Sequence, residues 1–160
     1  MSVENIAQKA EEAALKLANI PAELKNMALS LVAEELNRNS KTILEENDKD
    51  VNHAVESKVS DVLVKRLKLN GQKIEEILKG IHSVIQLEDP VGETLLCTEM
   101  DEGLELYKVT CPIGVIGAIF ESRPDALVQI SSLCIKSGNA VILKGGSEAA
   151  KTNHILAELI

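Results

Sequence analysis

Cys111-Pro-Ile-Gly-Val-Ile-Gly-Ala-Ile-Phe-Glu-Ser-Arg-Pro-Asp125, followed by Ser137-Gly-Asn-Ala-Val-Ile-Leu-Lys-Gly-Gly-Ser-Glu148, decides the fold. The two stretches read as strand, turn, helix, strand, turn, helix. Ile113 to Phe120 is apolar on both faces, the pattern of a buried parallel strand. Asp125 to Lys136 is the crossover helix, with Gly138 near its C-cap. Ala140 to Leu143 is the next buried strand. Ser147 is placed to cap a final helix carrying Ile155, Leu156 and Leu159. Both turns lie at the carboxyl ends of strands, where open α/β sheets bind nucleotides. The N–H groups of a helix start favour anions such as a pyrophosphate. Lys144, Gly145, Gly146 and Ser147 suit such a ligand, although no G-x-G-x-x-G pattern occurs.

Upstream, the period of the apolar residues changes. Thr94 to Met100 and Leu104 to Thr110 are β-rich runs joined by Asp101-Glu102-Gly103, a hairpin with a short loop. Residues 1 to about 87 are helical in pattern. Ile6, Ala10, Ala13, Ala14, Leu17 and Ala18 recur at helical spacing. Pro21 fits the first turn of a second helix whose stripe is Leu24, Met27, Ala28, Leu31, Val32 and Leu36. Asn39-Ser40 breaks it, and a further helix starts near Asn47-Asp48. Asn70 caps another, with Ile74, Ile77, Leu78, Ile81 and Ile85 on one face. Asp89-Pro90 ends the region. The division expected is therefore helices over 1–92, a hairpin over 93–111, and the start of a Rossmann-like sheet over 112–160. The last helix runs to Ile160 without a stop signal, so the α/β sheet is expected to be incomplete.

Composition narrows the function. The chain of 160 residues has a net charge of -8, and its aromatics are Tyr107 and Phe120 alone. Such a chain lacks the basic patches and stacking platforms that nucleic acids require. No apolar run reaches the roughly 20 residues that span a bilayer. The first residues carry no basic and apolar signal pattern. Cys97, Cys111 and Cys134 are widely spaced and lack metal-ligand spacing, which suggests reduced thiols in a cytoplasmic protein. Each reads as a small packed hydrophobe. His53, His82 and His154 have no partner at metal or triad spacing, so no metal site is expected. Glu45-Glu46-Asn47-Asp48 reads as a solvated face.

The run Phe120 to Ile130, with Lys136-Ser-Gly-Asn139 and Lys144-Gly-Gly-Ser-Glu148, resembles the N-terminal part of the γ-glutamyl phosphate reductase family, in the aldehyde dehydrogenase superfamily. Asn47-Asp48-Lys49-Asp50, Leu63 to Leu69 and Asp89-Pro90-Val91-Gly92 agree more loosely. The resemblance implies an aldehyde-dehydrogenase-like α/β fold. It also implies NADPH-dependent conversion of L-glutamyl 5-phosphate to L-glutamate 5-semialdehyde and phosphate, in proline biosynthesis. In that family a cysteine thiolate attacks the acyl phosphate, forms a thioester, and the thioester receives hydride. That cysteine lies downstream in a second domain, so no catalytic residue is expected in this chain, which should be inactive alone. The hairpin resembles the superfamily segment that joins subunits, implying a homo-oligomer.

The resemblance also implies roles at single positions. Lys144 ends a strand where the superfamily contacts the adenosine ribose, and a cation there suits a 2′-phosphate; the other reading is a solvated strand-end lysine. Gly145 and Gly146 allow close approach of backbone to ligand, or simply meet the needs of a turn. Ser147 is first an N-cap and second a phosphate contact. Ile119, Phe120 and Glu121 lie where relatives lay strand-end backbone along the cofactor. Arg123 stands where many members have an asparagine that polarises the carbonyl. Its planar fork suits a substrate carboxylate or phosphate; the alternative is an ion pair with Glu121 or Asp125. Two other functions compete: a non-catalytic nucleotide-binding module, and an aldehyde dehydrogenase acting on a coenzyme A thioester. Glu121-Ser-Arg-Pro124 argues against the second.

Overall fold

A computed structural model describes residues 2–160. In chain order the elements are α1 (Val3–Leu17), α2 (Ala22–Arg38), α3 (Ser40–Glu56), α4 (Asp61–Leu67), α5 (Gly71–Gln86), β1 (Thr94–Asp101), β2 (Leu104–Val109), β3 (Val115–Ile119), α6 (Pro124–Lys136), β4 (Ala140–Lys144) and α7 (Ala150–Leu159). A single 3-10 turn, Ser147–Ala149, leads into α7. β1 and β2 form an antiparallel hairpin, whose loop turns on Gly103 at φ +74°. β3 and β4 are parallel and in register from Val115↔Ala140 to Ile119↔Lys144, with α6 as the crossover.

The core lies among the helices. Leu29, Val32 and Leu36 of α2 meet Ile43 of α3, Ile74, Ile77 and Ile81 of α5, Leu127 and Val128 of α6, and Leu156 of α7. The α5 face matches its sequence pattern, and the Asn70 side chain accepts from the Lys73 N–H as its cap. Gly138 follows α6 at φ +71°, the left-handed conformation a helix C-terminus favours.

Several expectations fail for identifiable reasons. The α2 stripe is rotated: Leu24, Met27, Ala28 and Leu31 are exposed, while Lys25, Leu29, Val32, Ala33 and Leu36 are buried. The helix is apolar on two faces, and a lysine in the buried one hid it. Lys25 is tolerated because its ammonium lies 2.6 Å from Asp89 Oδ2. No helix starts at Asn47-Asp48; α3 runs through without a break. Glu45 and Asp48 of the acidic stretch are exposed and Glu46 is partly so, as expected of a solvated face, but Asn47 is fully buried. Its Nδ2 donates to Leu67 O (3.0 Å) and Thr152 Oγ1 (3.2 Å), and its Oδ1 accepts from Leu69 N (2.7 Å). The short helix α4 had no clear periodicity in the sequence. It is held from outside, by Asn47 and by the packing of Leu67.

β3 and β4 are parallel but not buried. Val115 and Ile119 are exposed, and Ala140 to Leu143 are only half-buried. Among the described residues no third strand lies beside this pair, so an apolar run suited to cover on both faces stays partly open. Cys97 and Cys111 are exposed and only Cys134 is buried, so the packed-hydrophobe reading holds for one thiol of three.

Candidate functional site

The parallel pairing sets the site. Ile119 pairs with Lys144, and Phe120 N–H donates to Lys144 O at 3.1 Å. The turns 120–123 and 145–148 therefore leave the sheet side by side. Sequence reasoning expected Ile119, Phe120, Glu121, Lys144, Gly145, Gly146 and Ser147 to gather, and the chain places them together at the carboxyl end of the pair. Ile119, Glu121, Lys144 and Ser147 are exposed there, while Phe120 is half-buried against the core.

The two turns are joined by a residue pair outside the expected set. Ser122 donates its backbone N–H (2.6 Å) and its hydroxyl (2.9 Å) to Glu148 Oε1. Ser122 is buried and left-handed at φ +47°, a conformation that costs a non-glycine residue about 1 kcal/mol or more. The Glu148 carboxylate offsets that strain. Burial by itself would raise the Glu148 pKa. Its own amide N–H, the two Ser122 donors and the Lys144 charge outweigh burial and hold the carboxyl below its ordinary range.

The glycines answer to this arrangement. A Cβ on Gly146 would stand 2.2 Å from the Glu148 carboxylate oxygens, and one on Gly145 would stand 2.2 Å from Asn153 Nδ2. The space beside both glycines is thus filled by the chain's own side chains. Ser147 makes no capping hydrogen bond, contrary to expectation; Gly146 and Ala149 precede the two helical turns. The start of α7 is capped from a distance by Asp50 on α3. Its carboxylate accepts from Lys151 N (3.3 Å), Thr152 N (2.8 Å) and Thr152 Oγ1 (2.8 Å). Sequence reasoning missed both carboxylates, because neither Asp50 nor Glu148 lies at a local capping position relative to the donors it serves.

This bears on which part of a dinucleotide the site suits. Carboxylates already occupy the amides of Ser122 in the first turn and of Lys151 and Thr152 at the start of α7, so those donors are not open to a pyrophosphate. Lys144 and Ser147 are exposed at this end of the strand pair, and the Lys144 charge acts on the Glu148 carboxylate. Arg123 stands at the N-terminus of α6, with its side chain 60% exposed. Its Nη2 lies 3.7 Å from Asp125 Oδ2, beyond hydrogen-bond range, so the ion pair leaves the guanidinium donors free.

The thiols lie away from this cluster or are masked. Cys111 precedes β3 at its amino end, about 17 Å of strand from the site. Cys97 is in the hairpin, and burial pushes the Cys134 thiol above its ordinary pKa. Among the described residues no group of three or more His, Cys, Asp or Glu side chains could hold a metal. Among them, too, no helix is long and apolar enough to cross a membrane.

No family model matches the chain. Over all 160 residues it is 56% identical to the γ-glutamyl phosphate reductase of Acetivibrio thermocellus, covering 37% of that protein. The crystal structure of γ-glutamyl phosphate reductase from Saccharomyces cerevisiae matches 99% of the chain with a TM-score of 0.96 at 43% identity; the match covers 41% of the yeast chain. The Thermotoga maritima enzyme of the same name matches 96% at a TM-score of 0.93 and 42% identity, over 37% of its length. A methylmalonate-semialdehyde dehydrogenase from Oceanimonas doudoroffii, 16% identical at a TM-score of 0.68, shares the fold. The chain thus spans little more than a third of the curated relatives it matches.

Proposed function

Because the whole of this chain corresponds to a segment of the γ-glutamyl phosphate reductases, we propose that it forms part of a cytoplasmic NADPH-dependent reductase of proline biosynthesis. The reaction is conversion of L-glutamyl 5-phosphate to L-glutamate 5-semialdehyde. The acyl carbon loses its bond to the phosphate oxygen and gains one to hydrogen, so that acyl phosphate, NADPH and a proton give aldehyde, NADP⁺ and phosphate. The observation that carries this reading is 56% identity over every residue of the chain, joined to a contiguous strand-end cluster of the expected residues.

NADPH, when bound, supplies the hydride. The chain's own residues bind and orient. Lys144 and Ser147 receive the 2′-phosphate, and the strand end from Ile119 to Glu121 lies along the cofactor. The Ser122–Glu148 link fixes the spacing of the two turns. Arg123 presents its fork to a substrate anion, and the distance to Asp125 leaves that fork available. None of Cys97, Cys111 and Cys134 is assigned the nucleophile, since one is masked and two lie elsewhere. The exposed Leu95, Leu96, Met100, Leu104 and Leu106 of the hairpin support a role in joining subunits.

The test is the reverse reaction in a reductase of the relatives' length that carries these 160 residues. Semialdehyde, phosphate and NADP⁺ together should produce NADPH. NADPH formation that continues without phosphate would sink the acyl-phosphate reading.

A further inference from the structure

Four cations from three helices meet in one cleft. Lys65 and Arg66 come from α4, Lys73 from the first turn of α5, and Arg123 from the start of α6. The cleft measures about 490 Å³, and Asp125 is its one acidic lining residue. This runs against the composition of the chain, which has 25 acidic and 17 basic side chains. Holding four like charges together is unfavourable without a compensating anion. Among the described residues Lys65 and Arg66 make no ion pair, and Asp125 stands at 3.7 Å from Arg123.

The cations stand on fixed backbone. Leu67, next to Arg66, is buried, and its carbonyl accepts from Asn47. Leu69 N–H is held by the same asparagine. The Lys73 ammonium is tethered through its donation to Lys68 O at 2.6 Å. Arg123 directly follows Ser122, so the cleft opens beside the strand-end cluster.

We propose that Lys65, Arg66, Lys73 and Arg123 form the recognition cleft for the substrate's charged groups, an assignment that rests on the reductase reading above. An amino-acid ω-acyl phosphate carries a phosphate dianion and a carboxylate, both matched by cations, and one ammonium, matched by Asp125. Arg123 holds the group nearer the reacting carbon. The α4 and α5 cations hold the other end. Charge-assisted contacts of this kind set binding and selectivity among acyl phosphates more than the chemical step.

The test uses two measurements. In the reductase carrying these residues, Lys65→Gln with Arg66→Gln should raise KM for the acyl phosphate about tenfold or more, as loss of about 1.4 kcal/mol would. KM for NADPH should stay within about twofold, whereas a weakened charge contact to cofactor would move it. An unchanged substrate KM in an active enzyme, or a rise in the NADPH KM instead, overturns the assignment. A wild-type enzyme inactive on acyl phosphate removes the reductase reading and the named substrate with it. The second measurement is independent of activity. Inorganic phosphate titrated into the 160-residue chain should give saturable amide shifts at Lys65, Arg66, Lys73 and Arg123, lost in the double variant. Flat shifts in the folded wild-type chain overturn the cleft.

Discussion

Ser122 gives both its amide and its hydroxyl to a single oxygen of Glu148, at 2.6 and 2.9 Å, and so locks the two strand-end turns together. The Glu148 carboxyl is held below its ordinary value of 4.5, against burial, by its own amide, the Ser122 donors and the Lys144 charge. A carboxyl depressed in the folded state contributes stability that is fully present above its unfolded pKa and is lost as pH falls through the folded value. Glu148→Gln should therefore lower stability by about 1 kcal/mol at neutral pH and by progressively less below pH 4.5. Urea unfolding of both chains across that range checks it. A difference that does not vary with pH would mean that the charge of Glu148 plays no part.

Gly146→Ala should act through the same link. The added methyl would meet the Glu148 carboxylate 2.2 Å away and evict it from Ser122. The expected loss is about 1–3 kcal/mol, the cost of unmaking hydrogen bonds to a charged group. Combined with Glu148→Gln, the loss should be clearly less than the sum of the two. Additive losses in a double-mutant cycle would separate the glycine from the carboxylate.

Lys144→Ala should weaken NADPH while leaving NADH nearly unchanged, because only the 2′-phosphate loses a partner. One charge-assisted contact is worth about 1.5–3 kcal/mol, or roughly ten- to hundredfold in affinity. Equal weakening of both cofactors, or of neither, would return Lys144 to the role of a solvated strand-end lysine.

Lys25 and Asp89 should respond asymmetrically to substitution. The Lys25 side chain is 1% exposed and Asp89 is 21% exposed. Asp89→Asn leaves a buried ammonium without its counter-charge and should cost about 3–5 kcal/mol. Lys25→Met fills the same space with an apolar chain and leaves a carboxylate that water can reach, so it should cost clearly less. Thermal unfolding of the two variants decides the order, and the reverse order would show that the ion pair is not what places Lys25 in the core.

Asn47→Ala should be among the more damaging single changes to the helical layer. It removes three buried hydrogen bonds, to Leu67 O, Leu69 N and Thr152 Oγ1, and frees the segment from α4 to the start of α5. The expected loss is about 3 kcal/mol, from stranded buried groups. Amide exchange should quicken first at Leu69. Unaltered protection there would mean that the packing of Leu67 and Leu69 alone holds the segment.

Where periodicity and local chemistry agreed, the elements were legible from residues alone. The Ile74–Ile81 face with its Asn70 cap, the hairpin around Gly103, and the strand-helix-strand order from Ile113 to Lys144 needed no tertiary partner to be recognised. Faces were harder. In α2 two apolar stripes compete, and the one that is buried contains Lys25, which hydrophobicity counts against it until Asp89 is seen beside it. In the site, the residues expected at the strand ends do gather, because parallel register from Val115↔Ala140 onward forces Ile119 beside Lys144.

The sequence by itself determined the order of elements from α5 onward, the parallel crossover and the membership of the strand-end turns, since these follow from short-range pattern and chain connectivity. Only the tertiary structure decided what fills and caps those turns. Asp50 reaches the α7 start from about a hundred residues away, Glu148 takes the Ser122 donors, and three helices converge to place Lys65, Arg66, Lys73 and Arg123 around one cleft. Hydrogen bonds and charge clusters of that kind depend on distances in space between residues far apart in the chain, and no local spacing rule encodes those distances.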